Sequence, residues 1–184
     1  MKFLALVLTI SLAATPSLGA DGVPISSWVS GMMKRIPFKD GIFDAEALTR
    51  YSEDYLSSLV SHYRETGSSP RQKAERAGNA FLVHEIESRT ERLIGRATQY
   101  VHETVHGMAV TLDPNGLGNV TKTDAKRILT EIADLADSDK NGVLDQFESA
   151  IAEAAFAQGR DLREPGVEAA IEREIDQASI HTWY

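Results

Sequence analysis

In the segment Asp137-Ser138-Asp139-Lys140-Asn141-Gly142-Val143-Leu144-Asp145-Gln146-Phe147-Glu148, oxygen-bearing side chains recur at alternate places. Asp137, Asp139 and Asn141 come first, Asp145 follows, and Glu148 closes the run. Six to eight oxygens from one tight turn is the demand of a hard divalent cation such as calcium, and this spacing meets it. Gly142 stands where the turn must bend most sharply, and Leu144 is an aliphatic anchor pointing toward a core.

The segment resembles the calcium loop of EF-hand proteins at every ligand position. That resemblance implies calcium as the ion, bound by side-chain oxygens of Asp137, Asp139 and Asn141 and by the Val143 carbonyl. It also implies Asp145 acting directly or through a water, and Glu148 closing the shell with two oxygens. The resemblance covers only the third and fourth helices and the loop between them, inside an EF-hand region of 97–158 that takes in the upstream loop as well. Phe147 inside the loop and Ser149 after it depart from the pattern, in which a bulky apolar residue follows the glutamate.

Upstream, Asp113 to Asp124 reads as a degenerate copy. It keeps Asp113, Asn115, Gly118, Val120 and Thr121. Leu117 brings no oxygen to the fifth place, and Asp124 is one methylene shorter than a closing glutamate. Only Ala125 to Ala136 separate the two loops, room for one helix. At 1.5 Å per residue that helix would hold the loops roughly 18 Å apart. The side-by-side pairing of Val120 with Leu144 that paired EF-hands use is therefore obstructed. Either the first loop is a relic, or the complete loop pairs with another chain, as in a homodimer. Asn119-Val120-Thr121 is also an N-glycosylation sequon.

A second metal chemistry is written in His102-Glu103-Thr104-Val105-His106, the H-E-x-x-H pattern of zinc peptidases. Two imidazoles would hold the ion and Glu103 would activate its water. The glycine and third-histidine places of the metzincin pattern hold Ala109 and Leu112, leaving Glu131 as the best glutamate candidate. The helix also carries an apolar stripe through Val101 and Val105, so His102 and His106 read as boundary residues.

The elements that must position these residues are helical. Asp44 is an N-cap before Ala47, Leu48, Tyr51, Tyr55, Leu59 and Tyr63, spaced as one helix face that ends at Glu65 to Ser69. Ser69-Pro70 starts a second, long helix with a stripe from Leu82 and Ile86 through Val101 to Leu112. It stops at Asp113-Pro114-Asn115-Gly116. A third helix spans about Thr121 to Ala136, with Ala125, Ile128, Leu129, Ile132 and Leu135 facing inward. A fourth runs from Asp145 to about Gln158 and a fifth from about Glu164 to Ala178. No strand alternation appears, so the expected fold is all-α, about five helices.

Ahead of these, Lys2, the apolar run Phe3 to Ala14 and the small residues Ser17-Leu18-Gly19-Ala20 read as a secretory signal peptide over residues 1–19. Residues 20–43 form an N-terminal segment containing the pair Lys34-Arg35, and 44–184 the helical domain. Lys34-Arg35, Asp40-Gly41-Ile42-Phe43-Asp44 and the helix after them are similar to propeptides of fungal pepsin-like proteases. That similarity implies a fungal secretory origin and an inhibitor-like role, with no catalytic Asp-Thr-Gly or Asp-Ser-Gly triplet behind it; a protease-binding or host-interacting module is the third reading.

The chain of 184 residues has no cysteine, a formal net charge of -8 and no basic run. Disulfides and thiolate metal sites are excluded, and a nucleic-acid partner is disfavoured. No apolar segment after the leader is long enough to span a bilayer. The leading expectation is a secreted, non-catalytic calcium-binding protein in which the ion braces the third and fourth helices. A zinc peptidase acting through His102 and His106 is the runner-up. Beyond the leader only Met32, Met33 and Met108 remain, which is not the Met-rich composition of a calcium sensor.

Overall fold

The structure, a computed structural model, describes residues 22–181; the leader expected over residues 1–19 lies outside them. In chain order the elements are β1 (Val23–Pro24), α1 (Ile25–Met33), β2 (Phe38–Lys39), β3 (Ile42–Phe43), α2 (Ala45–Arg76) and α3 (Ala80–Leu112). They continue with α4 (Lys122–Ala136), β4 (Val143–Leu144), α5 (Gln146–Gln158) and α6 (Val167–His181). The fold is all-α, with six helices among the described residues rather than about five. None of these helices is long and apolar enough to cross a membrane.

The additional helix is α1, in a segment without strong helical periodicity. Pro24 takes its N-cap place with φ of -53°, and Trp28, Val29 and Met32 form its buried stripe. Nine residues are too few for a helix to persist alone. Packing against α4 holds it.

The chain forms two compact units. Among the described residues, the first combines those up to Ala45 with those from His106 onward; the second is Glu46–Val105. In the first unit α4 packs on α1 and on α5, and α6 packs on α5. The inner face of α4 is Ala125, Leu129, Ala133 and Ala136. Ile128, Ile132 and Leu135, expected to face inward, are only half-buried. Small alanines let α1 and α5 approach closely, which moves the contact line away from the larger residues. Phe156 on α5 is 1% exposed and among the largest fully buried side chains of the core. Phe156→Ala should cost about 3–5 kcal/mol, because transfer free energy is lost and a cavity remains. Urea unfolding should show a lower midpoint at an unchanged slope.

Four two-residue strands accompany the helices among the described residues. β1 and β4 pair antiparallel, Val23 opposite Leu144 and Pro24 opposite Val143. β2 and β3 form a hairpin, Phe38 opposite Phe43. Its turn residues Asp40 and Gly41 have φ of 53° and 84°, the two positive values a tight two-residue hairpin turn requires. Two-residue strands carry no alternation to read.

The second unit contains most of α2 and α3. The break expected at Glu65 to Ser69 is absent, and α2 runs through Pro70. Pro70 removes one backbone donor, but Thr66 and Pro70 are both exposed, so the orphaned carbonyl meets water. The chain turns later, at Gly78 with φ of 66°. There the Asn79 amide donates to the Ala74 carbonyl, and Asn79 Oδ1 accepts from the Leu82 amide, capping α3.

The buried line of α2 includes Leu48, Ser52 and Leu56, stepping by four, rather than the expected tyrosine stripe; Tyr51 is 62% exposed. On α3 the inner positions Ala97 and Val101 are buried, whereas Leu82 is 43% exposed. Arg71 bridges the two helices, reaching Glu75 at 3.0 Å and Glu87 at 3.1 Å.

Candidate metal site

The loop from Asp137 to Glu148 joins α4 to α5 and is wound by its own carboxylates. Asp137 is the C-cap of α4. Its Oδ1 accepts from the Asn141 amide at 3.2 Å and its Oδ2 from the Gly142 amide at 2.9 Å. Gly142 has φ of 81°, a region open to glycine at no steric cost, so the chain can reverse there. Asn141 Nδ2 donates to Asp139 Oδ2 at 2.8 Å and orients that carboxylate, while Asn141 Oδ1 accepts from the Val143 amide at 2.7 Å.

The far end is built by a capping box. Asp145 Oδ1 accepts from the amides of Phe147 and Glu148 at 2.7 and 2.8 Å. Glu148 Oε2 accepts from the Asp145 amide at 3.0 Å. Glu148 Oε1 reaches across the loop and accepts from the Ser138 amide at 2.9 Å and the Ser138 hydroxyl at 2.8 Å. Position twelve is thereby tied to position two, and the loop closes.

One carboxylate oxygen each from Asp137, Asp139 and Glu148 lies within 4.8 Å of the others. Asp137 is 3% exposed and Glu148 6%. Neither takes part in the ion pairs found among the described residues. Lys140, the nearest sequence candidate to neutralise them, donates its Nζ to the Asp134 carbonyl. Burial pushes the Asp137 carboxyl up. The Gly142 and Asn141 amides, a hydrogen bond with the Asp139 carboxyl and the charge of Lys140 outweigh it, so the group sits below its ordinary value. Asp137 is therefore held as a carboxylate, the form in which it can bind a cation.

Of the expected ligand set, the structure gathers Asp137, Asp139 and Glu148. Asp145 stands outside that group, with one oxygen engaged as the α5 cap. Asn141 and Val143 lie between the gathered residues on the loop backbone.

The loop from Asp113 to Asp124 has the same backbone plan with fewer donors. Asp113 Oδ1 and Oδ2 accept from the Leu117 and Gly118 amides at 3.1 and 2.8 Å, as Asp137 does from Asn141 and Gly142. Gly118 has φ of 64°. Asp124 is engaged locally, its Oδ2 accepting from the Thr121 hydroxyl at 2.6 Å and the Thr121 amide at 3.1 Å. These bonds hold the Asp124 carboxyl below its ordinary value. Among the described residues, Asp113 and Asp124 belong to no gathered group of three acidic or imidazole side chains.

A third segment, Ile36 to Ala47, shares this spacing. Lys39-Asp40-Gly41-Ile42-Phe43-Asp44 aligns with Lys140-Asn141-Gly142-Val143-Leu144-Asp145. The first, third and twelfth places are Ile36, Phe38 and Ala47, without oxygen, and the segment closes into the β2–β3 hairpin. It is bound to the Asp113 loop: the Phe43 amide donates to the Val120 carbonyl at 2.8 Å and the Lys122 amide to the Gly41 carbonyl at 3.1 Å. Val120 thus pairs with Phe43, and Leu144 with Val23. The signal was present in Asp40-Gly41 flanked by apolar residues, a strong hairpin dipeptide.

His102, Glu103 and His106 are exposed on α3, and Glu103 accepts from Gln99 Nε2 at 2.8 Å. Among the described residues no third His, Asp or Glu gathers with them. Glu131 instead accepts from Arg163 at 3.0 Å.

No family model matches the chain, and neither the curated proteins nor the solved structures searched include a match to it.

Proposed function

We propose that the Asp137 to Glu148 loop is a calcium site of the EF-hand kind and that the protein is a secreted, non-catalytic calcium binder. The observation that carries this reading is the convergence of Asp137, Asp139 and Glu148 within 4.8 Å around a glycine turn, none of the three in an ion pair found among the described residues. Three carboxylates so placed repel one another, and a hard divalent ion relieves that repulsion. Asn141, the Val143 carbonyl and Asp145, the last directly or through a water, would complete an oxygen shell of the number calcium takes. The donor set is all oxygen, which favours calcium over zinc.

The ion would join the C-terminus of α4 to the N-terminus of α5, since Asp137 caps the first and Glu148 lies in the first turn of the second. Its effect is to brace these two helices. Extracellular modules of this chemistry bind at about 10⁻⁴ to 10⁻³ M, so outside cells the site would be steadily occupied.

Elemental analysis of the purified chain after dialysis against calcium and zinc together tests the reading. Calcium near one per chain is expected, and stoichiometric zinc with little calcium would overturn it. Export is checked separately by N-terminal sequencing of the protein outside the cell, which should begin near Ala20 or Asp21.

A further inference from the structure

β4 is the middle of the metal loop, and its partner strand comes from the other end of the chain. Val23 lies opposite Leu144, Pro24 opposite Val143, and the Ile25 amide donates to the Gly142 carbonyl at 3.2 Å. The fit leaves no room for a side chain. A Cβ on Gly22 would lie 2.8 Å from the Leu144 carbonyl oxygen and 2.8 Å from Val143 Cγ1, and Gly22 has φ of +74°. Immediately afterwards α1 packs on α4, the helix whose C-cap is Asp137. The residues from Gly22 to Met33 therefore grip both the centre of the loop and the helix that leads into it.

We propose that this segment is a strap whose docking is thermodynamically coupled to occupancy of the metal loop. The inference rests on the calcium reading above. Gly142 and Val143 lie between the donors Asp137 and Asp139 on one side and Glu148 on the other. All must face one point when the ion binds, and fixing that backbone costs conformational entropy. The docked strap has already fixed it. α1 is too short to stand alone, so strand and helix dock or melt together. Coupling is reciprocal: if the strap raises the affinity for calcium, calcium holds the strap by the same factor.

Two measurements on the full chain test this. Gly22→Val introduces the blocked Cβ at a position with positive φ. Gly31→Ala, on α1 with nothing within 4 Å of its added Cβ, is the control. Calorimetric titration with calcium should show affinity lowered roughly ten-fold for Gly22→Val, within the usual coupling range, and not lowered for Gly31→Ala. In the unaltered chain, hydrogen exchange at the Ile25 amide should slow on calcium addition by a similar factor.

Wild-type affinity in Gly22→Val would overturn the strap, as would Ile25 exchange indifferent to calcium in a chain that binds it. If Gly22→Val does not fold, the Ile25 measurement on the unaltered chain decides alone. An unaltered chain that takes up no calcium overturns the calcium reading itself, and this inference with it, before any variant is made.

Discussion

Replacing Glu148 by Gln should lower calcium affinity by roughly two orders of magnitude while leaving the ion-free fold nearly as stable as before. Glu148 closes the loop with both oxygens: Oε1 toward Ser138 and Oε2 toward the Asp145 amide. An amide presents one oxygen and one donor, so one of these ends faces a donor with a donor. Losing such charge-assisted bonds costs about 1.5–3 kcal/mol. Against this, the charge removed lies within 4.8 Å of carboxylate oxygens on Asp137 and Asp139. Like charges at that distance repel by about 3 kcal/mol at an effective dielectric of 20. In the ion-free protein the two terms oppose each other. With calcium present the repulsion is already cancelled, and the variant loses an anionic ligand without compensation, which accounts for the drop in affinity. Asp137→Ala should behave similarly toward calcium, and it also releases the Asn141 and Gly142 amides. Asp113→Ala should change affinity far less, because Leu117 brings no oxygen and Asp124 is held by Thr121.

Gly107→Ala should destabilise the first unit by at least about 2 kcal/mol, although alanine is the better helix former by about 1 kcal/mol. Gly107 lies in the last turns of α3, against the end of α5. A Cβ there would lie 2.2 Å from the Ala157 carbonyl oxygen and 2.7 Å from the Gln158 carbonyl carbon. Those atoms are backbone, so no rotamer change can relieve the overlap; a helix must shift. The contact is fixed from both sides. Gly159, in the left-handed C-cap of α5, comes within 3.2 Å of Gly107 for its own absent Cβ, and the Thr111 hydroxyl donates to the Phe156 carbonyl at 3.2 Å. Gly95→Ala on the same helix has nothing within 4 Å and should stabilise by about 1 kcal/mol. Opposite signs in thermal or urea unfolding check the pair. Equal, small effects would mean that α3 and α5 do not meet at Gly107.

Local chemistry was readable wherever a residue acts on its immediate neighbours. Thr121 and Asp145 are the N-caps of α4 and α5, within a residue of the expected helix starts. The spacing of Asp137, Asp139 and Glu148 along one loop pointed to side chains whose oxygens lie within 4.8 Å of one another in the structure. The spacing of the two loops predicted that Val120 and Leu144 would not pair, and they do not. What escaped depends on contacts distant in sequence. Val23 meets Leu144 far along the chain, and two residues have no period by which to announce a strand. α1 is held by α4 rather than by its own propensity. Pro70 looked like a helix start because proline suits a first turn, yet an exposed mid-helix proline left its freed carbonyl to water. The tyrosines of α2 have apolar bodies at helical spacing, so they outweighed Ser52, whose hydroxyl donates to the Thr49 carbonyl at 2.7 Å and lets it be buried.

Calorimetric titration of the whole chain with calcium tests the central claim most directly. One ion per chain is expected, with Kd of about 10⁻⁴ to 10⁻³ M. The melting temperature should rise as calcium is added, since a ligand of the native state stabilises it. Binding should weaken as pH falls, because Asp137, held below its ordinary value, must be protonated before the site loses that charge. No calcium uptake at millimolar concentration, or uptake that survives Glu148→Gln and disappears with Asp113→Ala, would contradict the account.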